Sequence, residues 1–387
     1  MQDKLTLMTP GPTPVPEAVL KVMGCHPIGH RSREFEAIIQ EISGQLRWLH
    51  QTSNDVLIIT GSGTAAMEAA IVNTLKSKDR ILCGDNGKFG ERWVELARAY
   101  GLEVEVIRSP WGQPLDSEAF GVVLEADTEK LIKAVILTHS ETSTGVINDL
   151  KSISKHVNSH GVALSIVDCV TSMGVVNVPI DVWGIDVVCS GSQKGYMIPP
   201  GLAFIAMSPR AWQYQENSTL PKFYFNLSFY RKTSIKNSSP FTPAINLYFA
   251  LKEALTIMRQ EGLESIFKRH DENSRAIQAA VKAMGLSLYA CDGYRSPSVT
   301  AIQTIDFEAE LLLSLMRNKL DILLANGQDH LKGRIFRIGH LGFVSNRDIL
   351  TIVASMESVL DTIRPGKVVL GRGLAAAINE LSSRAKD

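Results

Sequence analysis

The sequence predicts an α/β protein with a large domain on a mostly parallel sheet covered by helices and a smaller C-terminal α/β domain. Length is the first reason: 387 residues, at roughly 150 per domain, make two domains the natural expectation. The second is a regular alternation of short apolar runs and helical stretches from Val56 to Ser208. Those runs are almost continuously apolar, as they are when helices cover both faces of a parallel sheet. The third is a break in this alternation after Pro209, followed by a second, shorter α/β pattern. The expected division is an N-terminal arm over 1–17, a large domain over 18–262 and a small domain over 263–387.

Taken in order, the arm is rich in proline and turn residues and reads as extended chain. Strands are expected at Val56–Thr60, Arg80–Cys83, Val104–Arg108, Ala134–Thr138, Ala163–Val167, Asp186–Ser190 and Leu202–Met207. Helices are expected between them at Ala65–Leu75, Gly90–Tyr100 and Leu150–Ser159. An aromatic run, Phe223 to Tyr230, and a Ser/Pro stretch over 238–243 follow; packing in a core or against a second subunit is the ordinary use of such aromatics. A long helix is expected over Ala244–Gln260 and an amphipathic one over Leu263–Met284. The small domain then shows strand-like Val299–Ile305, helical Ala309–Lys319, strand-like Ile335–Ile338 and helical Asn346–Ile363.

Composition narrows the function classes. Forty basic residues balance forty acidic ones, which gives no electrostatic footprint for nucleic acid or an anionic membrane. No signal segment and no apolar run near the length of a membrane span is found, and the terminal Arg384-Ala385-Lys386-Asp387 is no peroxisomal tripeptide. Five scattered cysteines, without a Cys-x-x-Cys pair, argue against disulfides or an iron–sulfur site and fit a cytoplasmic setting. The pairs His26/His30 and His156/His160 lack a third metal ligand, so no metal is expected.

Three segments carry chemistry. Lys194 sits in Ser190-Gly191-Ser192-Gln193-Lys194-Gly195, after a buried strand and before the turn Ile198-Pro199-Pro200-Gly201. Asp168 closes another apolar strand. Alone, each has an ordinary explanation, a solvated loop lysine and a strand-end turn former. Upstream, Gly61-Ser62-Gly63-Thr64 joins the strand at 56–60 to an alanine-rich helix. A helix N-terminus with small residues suits a phosphate, although capping by Ser62 or Thr64 is the commoner use. The turn is neither a Walker A motif nor a full Rossmann fingerprint, so a phosphate smaller than a nucleotide is favoured. All three segments lie at the carboxyl ends of strands, where such sheets bind ligands. A lysine amine, a carboxylate and a phosphate seat together suit pyridoxal phosphate (PLP), whose aldehyde condenses with lysine and whose ring nitrogen is kept protonated by an acid.

These motifs stand with others in one order: Thr9-Pro10-Gly11-Pro12-Thr13, Gly29-His30-Arg31-Ser32, Gly87-Lys88-Phe89-Gly90-Glu91-Arg92, Thr138 to Gly145, and Phe336-Arg337-Ile338-Gly339. With them the chain resembles the class V, fold-type I PLP-dependent aminotransferases over nearly its whole length, and is most similar to the alanine–glyoxylate and serine–glyoxylate types. The resemblance implies a homodimer with shared active sites and a two-stage transfer from alanine or serine to glyoxylate. It implies that Lys194 carries the cofactor and moves the proton, that Asp168 pairs with the ring nitrogen, and that Ser62, Gly63, Thr64 and Gln193 hold the phosphate. Phe89, where many relatives have tryptophan, would stack on the ring, Val170 would cover its other face, and Ser143 would lie near its hydroxyl. Arg337, with Gly11 beside it, would bind the substrate carboxylate, with Arg31 the next candidate. Thr242 would reach the phosphate of the partner subunit, although a tyrosine that some relatives carry in this segment has no match here. Two alternatives stay open: another class V activity such as a lyase, and an accessory role in a soluble hydrogenase complex, as some relatives are labelled. A desulfurase is disfavoured because the one late cysteine, Cys291, lacks a matching loop motif.

Overall fold

The computed structural model describes residues 5–382. The terminal residues 384–387 and the first four of the expected arm therefore lie outside the described residues. A seven-stranded sheet dominates, in the order Val56–Gly61, Gly201–Met207, Val187–Gly191, Leu164–Asp168, Ile132–Thr138, Arg80–Asp85, Glu103–Arg108. Neighbours from Val187–Gly191 onward are parallel; Gly201–Met207 is antiparallel to the strands on both of its sides. The three central strands 164–168, 187–191 and 201–207 are buried almost throughout, which explains their unbroken apolar character.

Helices pack on both faces of this sheet and make two apolar layers. One layer joins Phe35, Ile42, Leu46, Phe120, Ile153 and Leu251 to the sheet residues Val135, Val167 and Val188. The other joins Ala66, Ala70, Trp93 and Ala97 to Ile81, Ile136 and Ile166. Helix Gly63–Thr74 is buried on nearly all sides, because alanine and glycine let it lie against the sheet and against neighbouring helices. Helix Ile245–Glu261 ends at Gly262, whose φ of 82° breaks it from helix Leu263–Ala283.

A second apolar core gathers Ile277, Ala280, Phe336, Ile338, Ile352, Val353 and Met356. It is built on a three-stranded antiparallel sheet in the order Val299–Gln303, Ile335–Gly339, Ala325–Asn326. Helix Asn346–Ile363 begins at Ser345 in a capping box with Asp348 and is bounded as the sequence predicts. The arm runs to this core: Thr6–Leu7 pairs in parallel with Ile322–Leu323, and Met8 is buried in the same cluster.

Several elements were not expected. The arm ends in a short helix, Glu17–Met23, and helix Arg33–Leu49 follows. Helices also occupy Ser117–Ala126, Pro209–Asn217, Leu227–Ser234 and Arg372–Ser382. The aromatic run therefore leads into a helix, and the strand expected to reach Ile305 stops at Gln303. Among the described residues, no helix is long and apolar enough to cross a membrane and no group of three or more His, Cys, Asp or Glu is placed to hold a metal ion.

Candidate active site

The carboxyl ends of three strands converge on one cavity. Strand Val56–Gly61 delivers Ser62, Gly63 and Thr64, strand Leu164–Asp168 delivers Asp168 and Val170, and strand Val187–Gly191 delivers Gln193 and Lys194. Gly201–Met207 lies between the first and third, and its register with both holds the phosphate-type turn beside the lysine loop. The cavity measures about 220 Å³, and Phe89 also lines it. So eight of the residues singled out in the sequence face one space.

The turn at 61–64 is open to a ligand. Ser62 is the N-cap of helix Gly63–Thr74, but its side chain makes no capping hydrogen bond. The capping use anticipated for Ser62 is therefore not what the residue does. A methyl group on Gly63 would meet Val170 Cγ2 at 2.7 Å, so only glycine lets the helix end come this close to the Asp168 loop. The Oε1 of Gln193 is buried and has no hydrogen-bond partner. Such an atom is costly unless a ligand or water completes it.

The charged groups are buried and shifted in opposite senses. Burial pushes Asp168 up to about 6, against a hydrogen bond from the Val170 N–H to its Oδ1 at 2.7 Å and the nearby cations Arg92 and Lys194. Burial, with Arg337 adding to it, pushes Lys194 down to about 8, while Asp168 pulls it up and Arg92 opposes that. Lys194 thus has about a tenth of its amine neutral at pH 7, far more than an ordinary lysine. Its amine donates to the Pro10 carbonyl. Next to it, Gly11 has φ 140°, and a Cβ there would collide with the end of the Lys194 side chain.

Arg337 reaches the site from the second sheet. It is buried, and its guanidinium donates to the Asn326 carbonyl at 2.7 and 3.0 Å, to the Thr142 carbonyl at 3.0 Å and to Gln328 Oε1 at 3.0 Å. All of these acceptors are neutral. Burial pulls it down to about 10, with Glu141 opposing, so it stays charged at neutral pH. Arg337 lies behind the cavity wall, joined to it through Thr142.

Ser143 and Arg31 sit elsewhere than the sequence suggested. Ser143 is turned away from the cavity: its Oγ donates to Glu141 Oε1 at 2.5 Å and accepts from the Lys88 N–H at 3.0 Å. Thr142, one residue earlier, lines the cavity instead and shares a 2.8 Å hydrogen bond with Thr171. Thr242 is exposed and away from this chain's own cavity. Arg31 is spent on the loop before it, donating to Ser238 Oγ at 2.6 Å and the Ser239 carbonyl at 2.5 Å.

Sequence reasoning also passed over Glu141 and Arg92, although both lie in motifs it quoted. Glu141 is fully buried and accepts from the N–H groups of Phe89, Gly90 and Ser143 and from the Ser143 hydroxyl. Burial nonetheless pushes it up to about 7. It thereby fixes the first turn of helix Lys88–Ala99, and with it Phe89.

The class V aminotransferase family model matches residues 7–339 of this chain. The chain belongs to the class V aminotransferases. It is 58% identical to a protein of Synechococcus sp. (strain PCC 6716) named soluble hydrogenase, small subunit, over 99% of this chain and the whole of that relative. It is 35% identical to the L-aspartate–glyoxylate aminotransferase of Paracoccus denitrificans, covering 97% of this chain and 96% of the relative. The crystal structure of the ureidoglycine–glyoxylate aminotransferase of Bacillus subtilis superposes with a TM-score of 0.92 at 32% identity, over 98% of this chain and 99% of that one. The large parallel sheet with its helices is thus the architecture of fold-type I aminotransferases.

Proposed function

We propose that the protein uses PLP to move an amino group from a small amino acid, alanine or serine, to glyoxylate, yielding glycine and a 2-oxo acid. One observation carries this reading: a buried lysine, a buried aspartate and an uncapped helix N-terminus line a single cavity. The open Ser62–Thr64 turn and the unpartnered Gln193 suit the phosphate of the cofactor. Glyoxylate is the acceptor named for both the P. denitrificans and the B. subtilis proteins, whereas their named donors differ. The donor assignment rests on the resemblance and on the small size of the cavity.

When bound, the cofactor supplies an aldehyde for the amino group and a ring that accepts electrons from the α-carbon. The residues do the rest. Ser62, Gly63, Thr64 and Gln193 would hold the phosphate, and Phe89 and Val170 would flank the ring. Asp168 would pair with the ring nitrogen, since a buried carboxylate gains most from a protonated partner. Arg337, already oriented by neutral acceptors, offers its remaining N–H to the substrate carboxylate beside Gly11. Lys194, whose burial makes its neutral form more accessible than that of an ordinary lysine, would take the proton from the substrate α-carbon on its Nζ and release it again in the second stage of the transfer. The Lys194 amine is buried against Pro10 and Gly11.

We propose further that the protein acts in the cytoplasm as a homodimer divided at 262/263 into two domains after its arm. Phe223, Phe229 and Ile235 are exposed and adjoin the Ser238–Pro243 segment carrying Thr242, which supports a subunit contact there. Sedimentation of the purified protein tests this; a fully active monomer would refute it. The deciding experiment for function is borohydride reduction of the PLP-loaded protein followed by peptide mapping, together with rates for alanine, serine and aspartate against glyoxylate and pyruvate. Label on Lys194 and glycine formation from alanine or serine are expected. Label on another lysine sinks the lysine assignment, and turnover with aspartate alone sinks the donor assignment. The hydrogenase names of relatives support a second reading, in which this chain also accompanies a metal-bearing subunit. Reconstitution of the purified chain with such a subunit, comparing wild type with Lys194→Ala, tests it.

A further inference from the structure

Arg92 is a cation that the proposed chemistry leaves without a task. It follows Phe89 by three positions on helix Lys88–Ala99, so both side chains lie on one face. Its guanidinium carbon stands 4.6 Å from the centre of the Phe89 ring, and the residue lines the cavity with Asp168 and Lys194. Arginine in such a place ordinarily neutralises an acid. Here the acid that shares its cavity is Asp168, which feels its charge without forming an ion pair with it. Among the described residues Arg92 has no acid partner within salt-bridge distance. A partly buried, unpaired guanidinium against an aromatic ring is costly unless the site uses its charge or its plane.

We propose that Arg92 is a positioning residue for the cofactor ring, holding Phe89 in place as the ring platform and keeping a fixed positive charge beside Asp168 and Lys194. The inference rests on the PLP reading above. Its two parts follow from separate contacts. Phenylalanine offers less surface for stacking than the tryptophan of many relatives, so its orientation matters more, and a planar guanidinium over the ring restrains it. The charge acts on the other side. The groups facing Lys194 are Asp168, Arg337 and Arg92, and those facing Asp168 are Arg92 and Lys194. Glu141 faces Arg337. Of the two arginines, Arg337 is committed to four hydrogen bonds and a substrate carboxylate, which offsets its charge whenever substrate is bound. No such partner offsets the charge of Arg92. It favours the ionised form of Asp168 and the neutral form of Lys194, the two states the reaction needs together.

The two parts separate experimentally. Arg92→Lys keeps the charge and loses the plane; Arg92→Gln loses both. The readouts are the equilibrium affinity of the apo-protein for PLP and the pH midpoint of the rate at which Lys194 captures PLP. For Arg92→Gln we expect affinity to fall about fivefold to tenfold and the midpoint to rise by about half a pH unit. For Arg92→Lys we expect about a threefold loss of affinity with the midpoint unmoved. Thermal unfolding of each variant reports whether it folds. Equal affinity and an unmoved midpoint in both variants overturn the proposal. So does an equal loss in both accompanied by lowered thermal stability and no midpoint shift, which would make Arg92 purely structural. A wild type that captures no PLP on Lys194 overturns the cofactor reading itself, a result distinct from either.

Discussion

The two sides of the cavity hold their polar groups in opposite conditions. On the edge of the seven-stranded sheet, groups are left open: Ser62 caps nothing with its side chain, Gln193 Oε1 has no partner, and Asp168 accepts one short N–H. On the side of the small sheet, Arg337 is already held by Asn326, Thr142 and Gln328. The open side is complete only with a ligand, whereas the closed side is oriented before any ligand arrives. Removing a group from the open side should therefore abolish chemistry while leaving the fold alone. Changing the closed side should cost geometry, in proportion to the hydrogen bonds lost.

The largest effect is expected on the open side. Lys194→Ala should lower turnover by about 10⁴-fold, the upper range for a lost acid–base group, and should remove borohydride labelling. Circular dichroism and thermal unfolding should be close to wild type; an unfolded variant would mean that the lysine is structural. Asp168→Asn preserves shape and removes charge. It should slow α-proton removal by about 10²–10³-fold with PLP still bound, measured with α-deuterated donor in single turnovers. Near wild-type rates would remove Asp168 from its role.

On the closed side, Arg337→Lys cannot reproduce the guanidinium's contacts to Asn326, Thr142 and Gln328 together with one to substrate, and should cost about 2–3 kcal/mol, or tens- to hundreds-fold in kcat/KM, for both half-reactions. Retained kcat/KM would show that the carboxylate is held elsewhere. Glu141→Gln gives the smallest effect. It puts an amide donor against N–H groups that now meet an acceptor, and should destabilise by about 1–3 kcal/mol with PLP affinity reduced through Phe89. Thermal unfolding and PLP titration measure the two. Acidity offers one more discriminator. Because Lys194 is pushed down to about 8, PLP capture by the apo-protein should accelerate with pH and level off above about 9, rather than above the ordinary lysine range. A midpoint near 10 would show that burial does not act on this amine.

The same contrast explains what could be read from the sequence. The open side is local: each motif, 61–64, 168–170 and 190–194, is contiguous and ends an apolar strand, so composition and periodicity reveal it. The closed side is assembled from residues 142, 326, 328 and 337, whose meeting depends on packing between two sheets. The misplacement of Ser143 has the same origin. Within Thr142-Ser143-Thr144 the residues are chemically alike, and only the backbone turn decides which one faces the cavity. Helix Arg33–Leu49 could have been found, since Phe35, Ile39, Ile42, Leu46 and Leu49 repeat at helical spacing after the cap at Ser32. Glu141 carried a signal as well, being an acid enclosed in a run of small buried residues.

The placement of strand Gly201–Met207 bears on how the chain is made. Among the described residues it is the sole sheet neighbour of Val56–Gly61, and it separates that strand from Val187–Gly191. The phosphate-type turn and the lysine loop, about 130 residues apart in the chain, cannot be brought into register before residue 207 has been synthesised. Until then Val56–Gly61 is an apolar strand without a partner, emerging long before its mate. The nascent protein must shelter this edge through more than a third of its translation, from residue 61 to residue 207 of 387, and a chain truncated short of residue 201 should be captured by chaperones rather than fold to a partial domain.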